Sequence, residues 1–266
     1  MKVFNTMKAI VCGCVKNCEK SGLETTILKL LGIKNIFEQV DYLFFENDSS
    51  DNTLQILSKH DINVISVSGL EHKIRNRMQL LAYGRNCLLN VILERYSDYD
   101  LMIMTDLDVL ENFEYKILQN VFSTYSINEW DVLTANNYDK YYDIYALRTD
   151  VNRVWDKKLD YDCWEVIHKN LENKLYKELL QIHIGNFQEK INNVGELIPV
   201  KSAFGGMGIY KISKIANCQY STKYGCEHVA FHFDILLKNS GKIFICPMLL
   251  TTGESKHIVP DYFDNA

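Results

Sequence analysis

Several features that would place this chain in a membrane or multidomain class are missing. No run of 18 apolar residues occurs, so the sequence predicts no transmembrane segment. Residues 1–8 lead directly into an apolar segment and lack the form of a signal peptide. Only three prolines occur among 266 residues, and no linker, repeat or low-complexity tract is present. We therefore expect one domain, residues 1–266, located in the cytoplasm.

An excess of positive charge is also missing. The formal net charge is −5, which argues against nucleic acid as a partner. The eight cysteines include no Cys-x-x-Cys pair, so free thiols in a reducing compartment are the simplest interpretation. Hydrophobic residues make up 47% of the chain, and its length suffices for a sizeable core.

Short apolar segments alternate with helical patterns along the first half of the chain. The sequence predicts strands at residues 9–14, 42–46, 63–67 and 101–105, and helices near 23–31, 53–59, 75–95 and 115–121. This alternation is typical of an α/β fold in which helices cover both faces of a mostly parallel central sheet. After residues 131–135 the pattern is less regular, and we expect shorter, partly antiparallel strands there.

The most informative segment is the apolar run that ends in Asp106 and Asp108. Residues i and i+2 of an extended chain point the same way, so both carboxylates could face one ligand at the strand's carboxyl end. Open α/β sheets bind their ligands at that edge. Two carboxylates suit Mg²⁺ or Mn²⁺, which in turn can hold a diphosphate. A pair of solvated loop acids is the alternative interpretation.

A second apolar strand pattern, residues 41–45, runs into the polar stretch 46–53. This stretch begins with Glu46, Asn47 and Asp48 and precedes a helical pattern, for which Ser49 or Ser50 could be the N-cap. An ordinary polar loop with a good cap would look the same.

The order of these segments resembles the nucleotide-binding half of the glycosyltransferase A fold. Further matches lie at residues 141–148, 205–210 and 226–228 and at Arg85-Asn86. Together with the 46–53 loop they resemble the fungal capsule-associated α-1,3-mannosyltransferases and their viral and bacterial relatives, over about residues 8–255. The loop departs from the usual family form, because Asn47 replaces an acid and Asp48 and Asn52 replace glycines.

The resemblance implies a metal-dependent hexosyltransferase with two functional halves. The nucleotide-binding half would cover about residues 8–110, and the acceptor and catalytic half about 111–266. The donor would be a UDP- or GDP-sugar, and the acceptor a glycan or glycoconjugate. Mn²⁺ or Mg²⁺ would be the cofactor.

The resemblance also assigns roles to polar residues of the donor site. Asp106 and Asp108 would hold the metal and the diphosphate, with a late histidine as the third ligand. For that ligand we favour His257 over the helical pair His228 and His232, which could also be surface or core residues. Lys256 could neutralise phosphate, or could simply be a solvated lysine.

Other residues are expected to contact the donor or the acceptor. Glu46, Asn47 and Asp48 would lie at the nucleoside. Arg85 and Asn86 would face the nucleotide, although Arg85 could instead pair with acids on its own helix. Gly205 and Gly206 would let the backbone approach the donor sugar or the acceptor, or could form only a turn.

Two carboxylates are candidates for the catalytic group. Glu227 or Asp143 could take the proton from an acceptor hydroxyl. Either could instead be a nucleophile or hydrogen-bond the sugar, and Glu227 could merely favour a helix N-terminus. The sequence therefore leaves retention and inversion of the anomeric centre undecided.

Two other functions compete with glycosyl transfer. A sugar-nucleotide nucleotidyltransferase would need a glycine-rich, basic loop after the first strand, where this chain has only Gly13 and Lys16. A non-catalytic nucleotide-sugar or glycan-binding protein could keep the same fold, and the acids at positions 106, 108 and 227 argue against it only weakly.

Overall fold

The computed structural model describes residues 4–172, 174–253 and 257–260, and these contain one eight-stranded sheet. The strands are β1 (Lys8–Val15), β2 (Gln39–Glu46), β3 (Asn63–Ser66), β4 (Leu101–Thr105), β5 (Val132–Asn137), β6 (Ile198–Pro199), β7 (Met207–Lys211) and β8 (Ile243–Thr251). Their order across the sheet is β3-β2-β1-β4-β7-β5-β8-β6.

The sheet is mixed, with parallel pairs in the majority. Strand β1 pairs in parallel with β2 and β4, β2 with β3, and β5 with β8. Strand β7 runs antiparallel between β4 and β5, and β6 runs antiparallel to β8. The antiparallel strands thus belong to the second half of the chain, as the irregular pattern after residue 135 predicts.

Helices cover both faces of the sheet, which confirms the predicted fold class. They are α1 (Leu23–Leu31), α2 (Thr53–Ser58), α3 (Leu70–Lys73), α4 (Arg77–Arg95), α5 (Lys116–Thr124), α6 (Cys163–Lys169), α7 (Tyr176–His183) and α8 (Glu227–Asn239). Alternate residues of β1 enter different cores: Ile10 packs in the core that contains α4 and α8, and Val11 in the core that contains α1 and α5.

Two helix starts differ from the sequence prediction. The predicted helix 75–95 begins two residues later, at Arg77, because Asn76 is extended and caps α4 by accepting a hydrogen bond from Gln79 N–H at 3.1 Å. The predicted caps of α2, Ser49 and Ser50, are wrong. Their backbone N–H groups donate to Glu46 and Asn17, and the N-cap residue is Asn52.

Within the residues that the structure describes, no helix is both long and apolar enough to cross a bilayer.

Candidate active site

The predicted site residues meet at one edge of the sheet. Because β1, β2, β4, β5 and β8 all point the same way, their carboxyl ends share this edge. Strand β7 runs in the opposite direction, so it begins at the same edge, and Gly205 and Gly206 directly precede it. The edge therefore collects loops from both halves of the chain.

Arg85 lies at the centre of this edge. It is 2% exposed, and its Nη2 donates to Asp106 Oδ1 at 2.8 Å while Nη1 donates to Glu227 Oε1. Its guanidinium lies 5.4 Å from the ring centre of Phe204 and 6.0 Å from that of Tyr220. Burial by itself would lower the pKa of the Arg85 guanidinium. The carboxylate of Asp106 and other neighbouring groups have the larger combined effect, so the pKa of Arg85 is raised.

Asp106 follows β4 directly and is fixed by its backbone. Its N–H donates to the carbonyl of Gly206 at 2.9 Å, and its side chain is one-third exposed. The pKa of Asp106 is raised to about 6, chiefly by burial and also by the nearby carboxylates of Asp108 and Asp143, against the lowering effects of Arg85 and Arg77. Carboxylates therefore outnumber nearby cations at this point.

Asp108 does not lie on an extension of β4, although the sequence predicted that Asp106 and Asp108 point the same way along an extended chain. Strand β4 ends at Thr105, and residues Leu107–Val109 form a short 3-10 helix. Alternation along a strand therefore cannot place Asp108 beside Asp106. Its side chain is exposed but remains close enough to raise the pKa of Asp106.

Asp143 is bound to the glycine turn. Its Oδ2 accepts a hydrogen bond from Gly205 N–H at 3.0 Å, and Oδ1 accepts one from Ala146 N–H at 3.4 Å. Burial raises the pKa of this half-buried carboxyl group, and it outweighs the lowering effects of the two N–H donors, of Arg85 and of His257. A carboxylate with a raised pKa at the open edge is a better proton acceptor than an ordinary aspartate.

Gly205 and Gly206 allow the backbone of this turn to pack closely. Both have positive φ, +63° and +94°. A Cβ atom would lie 2.4 Å from the Ala135 carbonyl oxygen at position 205 and 2.4 Å from Val109 Cγ2 at position 206. The turn therefore requires glycine at both positions, and it carries hydrogen bonds to Asp143 and Asp106.

Glu227 is the first residue of α8, and it is buried, with 2% of its surface exposed. It pairs with Arg85, which lies 142 residues earlier, so Arg85 does not pair with acids on its own helix, the alternative that the sequence left open.

The side chain of Asn86 is bound within the protein. Its amide exchanges two hydrogen bonds with the backbone of Tyr220, at 2.8 and 2.9 Å.

The 46–53 loop is organised by its own acids. Glu46 accepts hydrogen bonds from Ser49 N–H and from the Ser66 hydroxyl. Asp48 accepts from the first backbone N–H groups of α3, which lower the pKa of its carboxyl group. The Asn47 amide reaches Asp48 at 3.4 Å. Contact of these three residues with a nucleoside stays a prediction.

The candidate third metal ligands occupy different environments. His257 is exposed beside Tyr142, with ring centres 6.2 Å apart, and its carbonyl accepts from Gln188 at 2.6 Å. His232 is fully buried and hydrogen-bonded at both ring nitrogens. Lys256 lies outside the residues that the structure describes.

The carboxylates fit a divalent cation only in part. Asp106 and Asp108 supply the oxygen ligands that Mn²⁺ and Mg²⁺ prefer, in a place where carboxylates are in excess. However, the described part of the chain brings together no group of three His, Cys, Asp or Glu residues that could hold a metal. An ion here would need further oxygen atoms, such as those of a diphosphate and water.

The sequence interpretation missed Phe204, Tyr220 and Gln188. The two rings pack against the guanidinium of Arg85, and the buried Gln188 side chain binds residues 257 and 259. An aromatic or amide residue in an irregular segment carries no periodic signal. Only the position of Phe204 next to Gly205 could have suggested its role.

Comparisons with known proteins support the fold. No protein-family model matches the chain, and no curated protein matches it. The solved mannosyltransferase PcManGT from Pyrobaculum calidifontis, in complex with GDP-Man and Mn²⁺, is similar with a TM-score of 0.51 at 11% identity, over 92% of this chain and 56% of that one.

Structures of S. aureus TarS residues 1–349 are similar to the same degree. The UDP complex has a TM-score of 0.51 at 14% identity, over 92% of this chain and 59% of that one. The UDP-GlcNAc complex has a TM-score of 0.50 at 14% identity, over 92% and 57%. This chain thus spans little more than half the length of those chains. The shared architecture shows that it has the glycosyltransferase A fold.

Proposed function

We propose that this chain is a metal-dependent glycosyltransferase that moves a hexose from a UDP- or GDP-sugar to a hydroxyl group of a glycan or glycoconjugate. The observation that carries this proposal is the group of three carboxylates, Asp106, Asp143 and Glu227, gathered with Arg85 at the ligand-binding edge of the sheet. The same fold in complexes with GDP-Man and Mn²⁺ and with UDP-GlcNAc supports it. The relation to capsule mannosyltransferases stays a prediction.

The roles of the residues follow from their exposure and charge. Asp106 and Asp108 would hold Mn²⁺ or Mg²⁺, with His257 as a further ligand when donor is bound. Such an ion neutralises charge on the departing nucleoside diphosphate. The Asn47 and Asp48 loop, Asn86 and Lys256 would lie along the nucleotide.

Of the two catalytic candidates, Asp143 fits proton transfer better. Its carboxylate is only half-buried, and its pKa is raised by burial, so it can accept the proton of an acceptor hydroxyl. Glu227 is only 2% exposed and its Oε1 accepts a hydrogen bond from Arg85, which leaves little access for an acceptor hydroxyl. We therefore assign Glu227 to the positioning of Arg85.

Donor binding can be tested by thermal denaturation with a panel of UDP- and GDP-sugars, each with and without Mn²⁺. A ligand that binds only the folded state at 100 times its Kd stabilises it by about 2.7 kcal/mol. We expect one sugar nucleotide to raise the Tm, with a larger rise when Mn²⁺ is present. If no nucleotide in the panel changes the Tm under either condition, the proposal is wrong.

A further inference from the structure

A buried histidine lies next to the Arg85–Glu227 pair and has no role in the reaction as described so far. His228 follows Glu227 in the first turn of α8 and is 3% exposed. Within the described residues, neither of its ring nitrogens has a hydrogen-bond partner. Buried polar groups nearly always have a partner, so this ring needs an explanation.

The next histidine on the same helix shows what a satisfied core histidine looks like. His232 binds the Ser202 hydroxyl through Nδ1 at 2.9 Å and the Tyr210 hydroxyl through Nε2 at 3.0 Å. Both histidines are buried and both have a lowered pKa, chiefly because of burial. Only His228 faces the acidic site with its hydrogen-bonding capacity unused.

The ring of His228 is held firmly by aromatic neighbours. It stacks on Phe204 with ring centres 3.8 Å apart and an interplanar angle of 22°. Tyr220 meets it edge-on at 5.6 Å. These are the two rings that also flank the guanidinium of Arg85. The stack therefore fixes the imidazole plane relative to Arg85 and its carboxylate partners.

The carboxylate of Glu227 is an acceptor close to this imidazole. His228 Nε2 lies 3.9 Å from Glu227 Oε1. A side-chain adjustment of about 1 Å would bring the two atoms to hydrogen-bond distance. A neutral imidazole that carries its proton on Nε2 can donate to this carboxylate without adding a second positive charge beside Arg85.

We propose that His228 is a positioning residue that donates its Nε2–H to Glu227 and so fixes the buried chain Asp106–Arg85–Glu227. The relevance of this bond to turnover rests on the proposed function, but the bond itself does not. Without the bond, Glu227 and Arg85 can rotate together, and Arg85 would no longer hold Asp106 in one place at the end of β4.

The bond can be tested without any activity by NMR of the protein with ¹⁵N,¹³C-labelled histidine. The His228 signal is assigned by its loss in His228→Phe, and the His232 signal serves as an internal control. We expect His228 to be neutral at pH 7, with its proton on Nε2. A proton on Nδ1, a rapid mixture of tautomers or a charged ring would overturn the proposal.

Kinetics of two variants test the positioning role. His228→Phe keeps a flat ring for the stack on Phe204, whereas His228→Gln restores an N–H donor. Because a hydrogen bond to a charged group is at stake, we expect His228→Phe to lower kcat about 10- to 100-fold with little change in donor KM. His228→Gln should recover part of that loss. Parental kcat in a folded His228→Phe protein would contradict the role.

The two tests separate the failure of this proposal from the failure of the proposed function. If the parent protein turns over no sugar nucleotide, the glycosyltransferase proposal is wrong. A proton on Nδ1, a mixture of tautomers or a charged ring at His228 would independently rule out the bond to Glu227.

Discussion

At the scale of single residues, Arg85 ties the site together, because its guanidinium joins the end of β4 to the start of α8. Both partners are acids, and Glu227 has almost no contact with solvent. Removing one member of a buried ion pair costs about 3–5 kcal/mol, since the other charge is left unpaired. Variants of Arg85 would therefore change stability and function at once.

Two carboxylate-to-amide variants distinguish the catalytic candidates. We expect Asp143→Asn to lower the single-turnover rate about 10²- to 10⁴-fold with donor affinity unchanged, because a general base acts only on the chemical step. Glu227→Gln should reduce the rate less but lower the free energy of unfolding. A near-normal single-turnover rate in Asp143→Asn would instead favour Glu227 as the proton acceptor.

His232 makes the stability of the protein sensitive to acid. Burial lowers its pKa from an ordinary value near 6.5 to about 3 in the folded state, so between these pH values the unfolded chain binds the additional proton. Stability is therefore full above about pH 6.5 and falls as the pH falls towards 3.

The substitution His232→Gln removes this titration. We expect this variant to have a lower free energy of unfolding than the parent at pH 7. Between pH 6 and pH 4, however, its free energy of unfolding should fall less steeply than that of the parent, by about 1.4 kcal/mol per pH unit. Urea denaturation at several pH values measures both slopes. Equal slopes would show that His232 is not held neutral by the fold.

At the scale of elements, the strands and helices of the first half were predictable because each has a regular apolar pattern. Strand β4 was predicted at its observed bounds, and β1, β2 and β3 within a few residues. The polar turns were harder, because their hydrogen bonds come from distant segments. Asn17 accepts a hydrogen bond from the Ser50 N–H, and Glu19 accepts one from the N–H of Asn52, the N-cap residue of α2.

The candidate site was predicted as a set of residues but not as an arrangement. The chemistry of the Asp106–Asp108 pair was visible in the sequence. The pairing of Arg85 with Glu227 was not, because it depends on how α8 packs against α4 across 142 residues of chain. The antiparallel insertion of β7, which brings Gly206 to Asp106, likewise follows from tertiary packing and not from periodicity.

The glycine turn before β7 gives a prediction at this scale. Gly206→Ala combines a positive φ with a Cβ placed 2.4 Å from Val109 Cγ2, whereas Gly22→Ala has a positive φ but no atom within 4 Å of its Cβ. We expect Gly206→Ala to lower both the Tm and donor binding, and Gly22→Ala to lower the Tm by less and leave binding unchanged. Equal effects would mean that the turn does not position the site.

At the scale of the whole molecule, one sheet joins the two halves of the chain. Strand β7 lies between β4 of the first half and β5 of the second, so the loops that would bind donor and acceptor open on the same edge. The chain covers 56% of the PcManGT chain and 59% of the TarS 1–349 chain in its UDP complex.

In the proposed function, this edge of the sheet is where the bond between a sugar and a nucleoside diphosphate is broken. The most direct measurement is release of UDP or GDP from a panel of sugar nucleotides, in the presence of Mn²⁺ or of excess chelator, for the parent protein and for Asp108→Asn. We predict release from at least one donor that requires the ion and is largely lost in a folded Asp108→Asn protein. Binding of a donor without release would indicate a non-catalytic binding protein, and undiminished release in chelator would contradict the metal role of Asp106 and Asp108.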